Sequence, residues 1–325
     1  MPAEAVARTR PDEGGARRRR LIVRLATACT LLLLAVVVVS AYLRLENAGL
    51  GCDDWPACYG HPGEARFTAN RGDLTPMRAL HRLVATGALL VVIALVGLTR
   101  RRPELRSEHR TSMALLSLML ALSLLGWFTG NSTVPAVVLA NLFGGFAMLA
   151  LAWRLHASAS GAGDLLLPNA RKLLPWARAG VALLVAEIFL GTLISATFAA
   201  RACLSLPACG DTWWPADSWG YVFDLFADFA GRPLPDQDPG GMALHMLHRL
   251  LALATALVLG VAALRGIALR PALPILGLLF IEMILGAVAV SLGLPLLVVV
   301  LHNAAAALLL VASVAFVRAL RGIRK

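Results

Sequence analysis

The stretch ALHRLVATGALLV at Ala79–Val91 nearly recurs as MLHRLLALATALV at Met246–Val258. Each copy places a His-Arg pair at the start of a long apolar run. A second related pair, VPAVVLANLFGGFAMLAL at Val134–Leu151 and LPLLVVVLHNAAAALLL at Leu294–Leu310, begins a later apolar run in each part of the chain. Repetition over such distances predicts a chain built from two similar halves.

The composition is typical of an integral membrane protein. Of the 325 residues, 58% are hydrophobic and only 15% are charged, which is too apolar for an ordinary soluble domain. Runs of about 20 apolar residues can cross a bilayer as helix. Such runs predict eight spans, at about Leu25–Leu43, Ala79–Leu98, Met113–Gly130, Val134–Leu155, Trp176–Phe198, Ala243–Leu264, Ala272–Leu292 and Pro295–Val317. We therefore predict an all-α integral membrane protein, with eight transmembrane helices in two pseudo-symmetric four-helix bundles related by an axis along the membrane normal.

The net charge of +11 indicates a topology rather than a nucleic-acid partner. The basic clusters, beginning with RRRR at Arg17–Arg20, all fall on one side of an eight-span layout. The positive-inside rule then predicts cytoplasmic termini and outside positions for the two long loops, Arg44–Arg78 and Ala199–Gly241. Residues 1–20 are expected to be a disordered basic cytoplasmic tail. Residues 21–156 form the N-terminal bundle, 157–173 a cytoplasmic linker and 174–325 the C-terminal bundle.

Four of the five cysteines lie in two similar motifs, CDDWPAC at Cys52–Cys58 and CLSLPAC at Cys203–Cys209. Both motifs fall in the outside loops, where an oxidising compartment favours disulfides. We predict a disulfide in at least one loop. A metal site and a redox-active dithiol remain alternatives. Cys29, inside the first span, is expected to be a small buried apolar residue.

Three histidines, His81, His248 and His302, lie within the first turn or two of a span at its outer end. His248 and His302 begin the second and fourth helices of one bundle, which run in the same direction. Two inward-facing imidazoles at one depth can hold a haem iron from both faces; hydrogen bonds to neighbouring helices are the alternative. Arg82 and Arg249 each follow a histidine, where a guanidinium could either meet haem propionates or extend to the membrane surface.

The other ionisable residues of interest have less specific patterns. Glu187 in EIFLG and Glu282 in EMILG repeat inside the C-terminal bundle. Interhelical hydrogen bonding is the preferred interpretation and proton handling the alternative, while the glycine after each permits close helix approach. His61 lies in a polar loop, and His109 and His156 lie in cytoplasmic links, so solvated side chains are expected there.

The N-terminal bundle lacks the second histidine. Its fourth span reads VVLANLF where the eighth reads VVLHNAA, so Ala140 aligns with His302 and Asn141 with Asn303. His81 alone would give a five-coordinate haem with one open face, suited to binding or oxidising a substrate haem. A vestigial site is the alternative.

The run YLRLENAGLGCDDWPACYG at Tyr42–Gly60 resembles the first periplasmic loop of the haem A synthase family, which carries R-L-x-x-x-G-L-x-C-x-D-W-P-x-C-x-G. The resemblance extends from about Leu21 over essentially the whole chain. It implies an oxidoreductase of the bacterial plasma membrane that oxidises the methyl group at C8 of haem O to the formyl group of haem A, for haem-copper terminal oxidases. It also implies working relations with haem O synthase and oxidase assembly factors, and a homo-oligomer is compatible with it.

The same resemblance implies roles for particular residues. His248 and His302 would bind a haem b cofactor, with Arg82 and Arg249 near the haems. His81 would bind the iron of the substrate haem. The cysteine pairs Cys52–Cys58 and Cys203–Cys209 would form disulfides.

Two positions depart from the family pattern. Arg78 stands where members usually carry a glutamate, and Ala140 where they carry a histidine. An arginine cannot accept a proton near neutral pH; a shifted ligand, or an alternative carboxylate in the loop such as Glu46 or Asp73, could compensate. We predict a haem A synthase-like oxidoreductase. The alternatives are a non-catalytic haem b-binding protein in oxidase assembly or electron transfer, and a transporter, which the absence of obviously broken helices disfavours.

Overall fold

The computed structural model describes residues 13–50, 59–60, 75–129, 132–160, 170–214, 221–227, 229 and 239–321. The regular structure of these residues is helical, without a β-strand. Its long helices are α1 (Glu13–Asn47), α2 (Thr75–Thr99), α3 (Arg106–Thr129), α4 (Pro135–Ser160), α5 (Ala170–Ala196), α6 (Pro239–Arg265), α7 (Ala272–Ser291) and α8 (Leu296–Arg321). Short 3-10 turns occur at Pro103–Leu105, Ala199–Ala202 and Tyr221–Phe223.

All eight long helices are long and apolar enough to cross a membrane, which confirms the predicted all-helical membrane fold. The expectation of a disordered tail over residues 1–20 is wrong for its last part, because α1 begins at Glu13 and includes Arg17–Arg20. Arginine and alanine are favourable helix formers. A helix already nucleated by an apolar span extends through them at little cost.

The helices pack as two rings of four. In the first half, α1 and α3 each pack against α2 and α4; in the second half, α5 and α7 each pack against α6 and α8. The halves meet where α8 packs against α1 and α4 and where α4 packs against α5. This arrangement is consistent with two pseudo-symmetric bundles, since α1–α8 and α5–α4 are corresponding interfaces of a duplicated chain.

Arginines join the halves at both ends of the helices. At the basic end, Arg318 of α8 donates to the carbonyl of Ala157 at 2.7 Å and joins the halves, while Arg19 of α1 donates through Nε to the carbonyl of Ala159 at 3.0 Å within the first half. These carbonyls belong to the last turn of α4, which lacks intrahelical donors. At the cysteine-loop end, Arg44 of α1 donates to the hydroxyl of Ser195 in α5.

Tyr59 anchors the chain that follows the first cysteine motif onto the second half. Its ring is 2% exposed and meets Phe198 edge to face, with the ring centroids 5.7 Å apart. Burial raises the pKa of the Tyr59 phenol, against the smaller opposing effect of the nearby Arg44. The phenol is therefore neutral at physiological pH, and the first loop is held at Tyr59 against the start of the second.

A glycine permits the close packing of α5 on α6. A Cβ added at Gly180 would lie 2.9 Å from Leu259 Cβ and 3.1 Å from Leu259 Cα. Both are atoms that cannot move away without shifting the helix. Small residues at such crossings allow the backbones of membrane helices to approach each other.

We expect Gly180→Ala to destabilise the second half by about 1–3 kcal/mol, because the added methyl overpacks the α5–α6 contact. Gly277→Ala is the matched control, since nothing lies within 4 Å of the Cβ it would add. Thermal unfolding in detergent measures both. Equal melting temperatures for the two variants would contradict the expectation.

Candidate functional site

The structure brings His248 of α6 and His302 of α8 together. Their ring centroids are 6.5 Å apart and their planes are nearly perpendicular, at 82°. Both histidines lie near the start of their helices at the cysteine-loop end. The sequence predicted that these imidazoles share one depth, and the fold places them edge to face within the second half.

Each of these imidazoles is paired with a glutamate from a neighbouring helix. His248 Nδ1 lies 2.9 Å from Glu187 Oε1, and His302 Nδ1 lies 2.5 Å from Glu282 Oε2. The two Nδ1 atoms are buried, yet the histidine side chains are 21% and 28% exposed. The accessible part of each ring is therefore away from the carboxylate, which leaves Nε2 as the nitrogen for a ligand.

Two glycines complete the surroundings of the rings. Gly191 follows Glu187 by one turn, and a Cβ there would lie 3.2 Å from His248 Cε1. Gly286 has the same relation to Glu282, with its added Cβ 3.6 Å from His302 Cε1. The repeated E-x-x-x-G motif thus supplies a carboxylate and a flat backbone surface on one helix face.

The geometry fits a metal held from two sides. A metal–imidazole bond is about 2 Å long, so two imidazoles on opposite sides of one metal have ring centroids about 6 Å apart, close to the 6.5 Å observed. Neutral imidazoles with Nδ1 directed at a carboxylate are the usual form of a histidine ligand. The pair is therefore suited to the axial positions of a haem.

A buried histidine next to this site was missed by the sequence reasoning. His245 lies one turn before His248, is 6% exposed, and its Nε2 is 3.1 Å from the carbonyl of Ala199. The signal was available, because residues three apart share a helix face. The contact ties the start of α6 to the turn that follows α5.

The second cysteine loop is fastened to α6. Cys203 and Cys209 form a disulfide that packs against Met246, as predicted for at least one of the loops. Arg249 donates to the carbonyls of Cys203 at 3.2 Å and Pro207 at 3.0 Å. The guanidinium thus holds the loop over the helix that carries His248, and a further contact with a propionate stays a prediction. The Cys52–Cys58 pair lies outside the described residues.

The first half surrounds its histidine differently. His81 Nε2 lies 3.1 Å from the hydroxyl of Ser40 in α1. Counted back from the first cysteine of each loop, Ser40 corresponds to Gly191 and Val36 to Glu187. The first half therefore repeats the helix-to-helix contact but has no carboxylate at the position that directs His248.

The remaining predicted residues of the first half differ in their exposure. Arg78 and Arg82 are exposed on α2, and Ala140 is exposed on α4. Glu46 is 7% exposed near the end of α1, and Asp73 lies outside the described residues. In the described residues, the site of the first half therefore contains one histidine, His81.

Two histidines expected to be solvated in links instead lie in helices with partners. His109 Nδ1 is 3.2 Å from the hydroxyl of Thr99, and His156 Nδ1 is 3.0 Å from that of Thr27. His156 also stacks on Trp153. The links are shorter than expected because α3 and α4 extend beyond their apolar runs. Cys29 is fully buried, as predicted, and His61 lies outside the described residues.

A family model and two known proteins that resemble this chain all point to the same family. Residues 23–314 match the family model COX15-CtaA, described as cytochrome oxidase assembly protein. A heme A synthase of Shewanella oneidensis is 32% identical over 300 residues, covering 84% of this chain and 88% of that protein. A heme A synthase of Rhizorhabdus wittichii is 31% identical over 150 residues, covering 45% of this chain and 41% of that protein.

The unequal glycine contacts give a matched pair of variants. In Gly191→Ala the added methyl presses on the His248 ring, which Glu187 contacts from another side. We expect haem affinity to fall about tenfold, the lower end of the loss seen when groups that orient a metal ligand are disturbed. Gly286→Ala adds only an ordinary van der Waals contact and should leave binding nearly unchanged. Haem titration followed by absorption of the low-spin haem measures both, and equal affinities would contradict the expectation.

Proposed function

Because this chain belongs to the COX15-CtaA family of cytochrome oxidase assembly proteins, we propose that it is a haem A synthase. Its reaction converts the methyl group at C8 of haem O into the formyl group of haem A, for use in haem-copper terminal oxidases. The observation that carries this proposal beyond the family is the opposed pair His248 and His302, whose spacing of 6.5 Å suits one iron between them.

The second half is the electron-transfer half in this proposal. His248 and His302 hold a haem b, which when bound supplies one-electron transfer. Glu187 and Glu282 orient the two imidazoles through Nδ1. Arg249 fastens the disulfide loop to α6, and His245 fastens the turn before that loop.

The first half binds the substrate. His81 binds the iron of haem O, after Ser40 releases Nε2. With His81 as the one protein ligand, the other face of the substrate haem would be left open. Arg78 and Arg82, exposed on α2, are placed at the outer end of the helix to attract the propionates, and Arg78 does not act as a base.

The remaining assignments concern location and partners. We propose that the chain lies in the bacterial plasma membrane, with cytoplasmic termini and periplasmic cysteine loops, because its basic residues cluster at one end of the bundles. The predicted domains 21–156 and 174–325 are the substrate and haem b domains; the linker predicted at 157–173 overlaps the end of α4 and the start of α5, so the connection between those helices is residues 161–169. Cys52–Cys58 forms the second disulfide. In the lipid bilayer, its protein partners are haem O synthase and oxidase assembly factors. A homo-oligomer is compatible with this location.

The decisive experiment is to co-express the chain with a haem O-producing enzyme in a host that lacks its own haem A synthase. We expect chromatography of the haems extracted from the purified protein to yield haem A, or its hydroxylated precursor, together with haem b. Haem b alone, with haem O abundant in the same membranes, would contradict the activity. That outcome would favour a non-catalytic haem b-binding protein.

Histidine variants test the two sites separately. His248→Ala and His302→Ala should each abolish the low-spin haem b spectrum, because one axial ligand is lost. His81→Ala should spare that spectrum and remove haem A from the extract. His156→Ala is the control, since this histidine contacts Thr27 and Trp153 away from both sites. An unchanged low-spin spectrum in both of the first two variants would overturn the ligand assignment.

A further inference from the structure

We propose that Glu187 and Glu282 are positioning residues that lower the midpoint potential of the haem between His248 and His302, and so make its reduced form a stronger electron donor. The inference rests on the proposed function, because it needs a haem at this pair. It assigns to the two glutamates an electronic role in addition to their interhelical contact.

The geometry of the carboxylates is the first support. The glutamates come from different helices, α5 and α7, yet each places one oxygen within 2.9 Å or less of an imidazole Nδ1. Both side chains are only 13% exposed. The second oxygens, Glu187 Oε2 and Glu282 Oε1, and the two Nδ1 atoms are buried, and none of them makes a hydrogen bond of standard geometry among the described residues; the carboxylates approach the rings at ion-pair distance. Within the described part of the chain, each carboxylate is therefore committed to its histidine.

The chemistry follows from these contacts. A carboxylate beside Nδ1–H draws that proton toward itself and makes Nε2 a stronger electron donor to a metal. Stronger donation stabilises the more positive, oxidised iron, and outer-shell hydrogen bonding is one of the means by which a protein sets a haem potential. Water screening is weak at buried sites. Because both axial ligands carry the same contact, the two effects act in the same direction.

The first half lacks this device. Val36 stands at the position that corresponds to Glu187, and His81 contacts the hydroxyl of Ser40 instead of a carboxylate. A neutral hydroxyl increases the donor strength of an imidazole less than a carboxylate does. The two histidine sites thus differ in the charge behind the ring, although they occupy corresponding helices.

The test uses Glu187→Gln, Glu282→Gln and the double variant in the full-length, haem-loaded protein. Glutamine keeps the size of the side chain and an oxygen that can accept from Nδ1–H, but removes the charge. We expect each single variant to retain the low-spin spectrum and to raise the ratio of reduced to oxidised haem about tenfold at a fixed potential, an upward shift of about 59 mV for a one-electron couple. The double variant should shift further.

Glu108→Gln is the matched control. Glu108 is 5% exposed and accepts a hydrogen bond from Ser158 at 2.7 Å, at the basic end of the first half. Its substitution replaces another buried carboxylate with an amide and should leave the haem potential unchanged. Wild-type potentials in both single variants and the double variant would overturn the inference, and so would a shift of the same size in Glu108→Gln.

Electron paramagnetic resonance of the oxidised, unaltered protein is a second measurement that does not depend on the variants folding. We expect ligand-field parameters displaced toward those of imidazolate ligands. Parameters of two neutral imidazoles without strong hydrogen bonds would overturn the inference. Absence of haem b from the unaltered protein would instead contradict the proposed function, so the two failures are distinguishable.

Discussion

The contact between a buried carboxylate and an imidazole, made once by Glu187 with His248 and once by Glu282 with His302, organises the second half. A carboxylate inside a membrane bundle is costly unless it is paired. Each pair therefore links two neighbouring helices, α5 to α6 and α7 to α8. The two rings then meet at 6.5 Å, so all four helices converge on one point. The haem site of the proposed function is the result of this convergence.

The two halves share a packing pattern but differ in the chemistry at their histidines. In each half, the first and third helices pack against the second and fourth. Ser40 approaches His81 as Gly191 approaches His248. The apolar Val36 corresponds to a glutamate in the other half. Such a difference suits a division between a tightly held electron carrier and a substrate that has to enter and leave. A duplicated chain can diverge in this way because the side chains around a histidine change without altering the helix packing.

The halves are also joined firmly. Arg318 reaches the last turn of α4 at one end, while Tyr59 packs on Phe198 at the other. The turn beyond Phe198 accepts a hydrogen bond from His245, one helical turn from His248. Tyr59 of the first loop is therefore connected to the helix that carries His248 by a short series of packed groups. Neither the role of His245 nor the attachment of Arg249 to the disulfide loop was predicted, since their acceptors are backbone carbonyls far away in sequence.

The sequence by itself determined the eight long apolar helices of the described residues and the positions of His248 and His302 near the starts of two of them. Apolar runs in lipid have to satisfy their backbone groups internally, which makes a spanning helix readable from composition alone. The sequence did not determine the start of α1 at Glu13, because helix extension into a basic segment depends on the span that nucleates it. Only the tertiary structure decided which groups face His248 and His302. Their carboxylate partners lie on other helices, and the hydrophobic pattern of a span does not specify which neighbour each of its faces will meet.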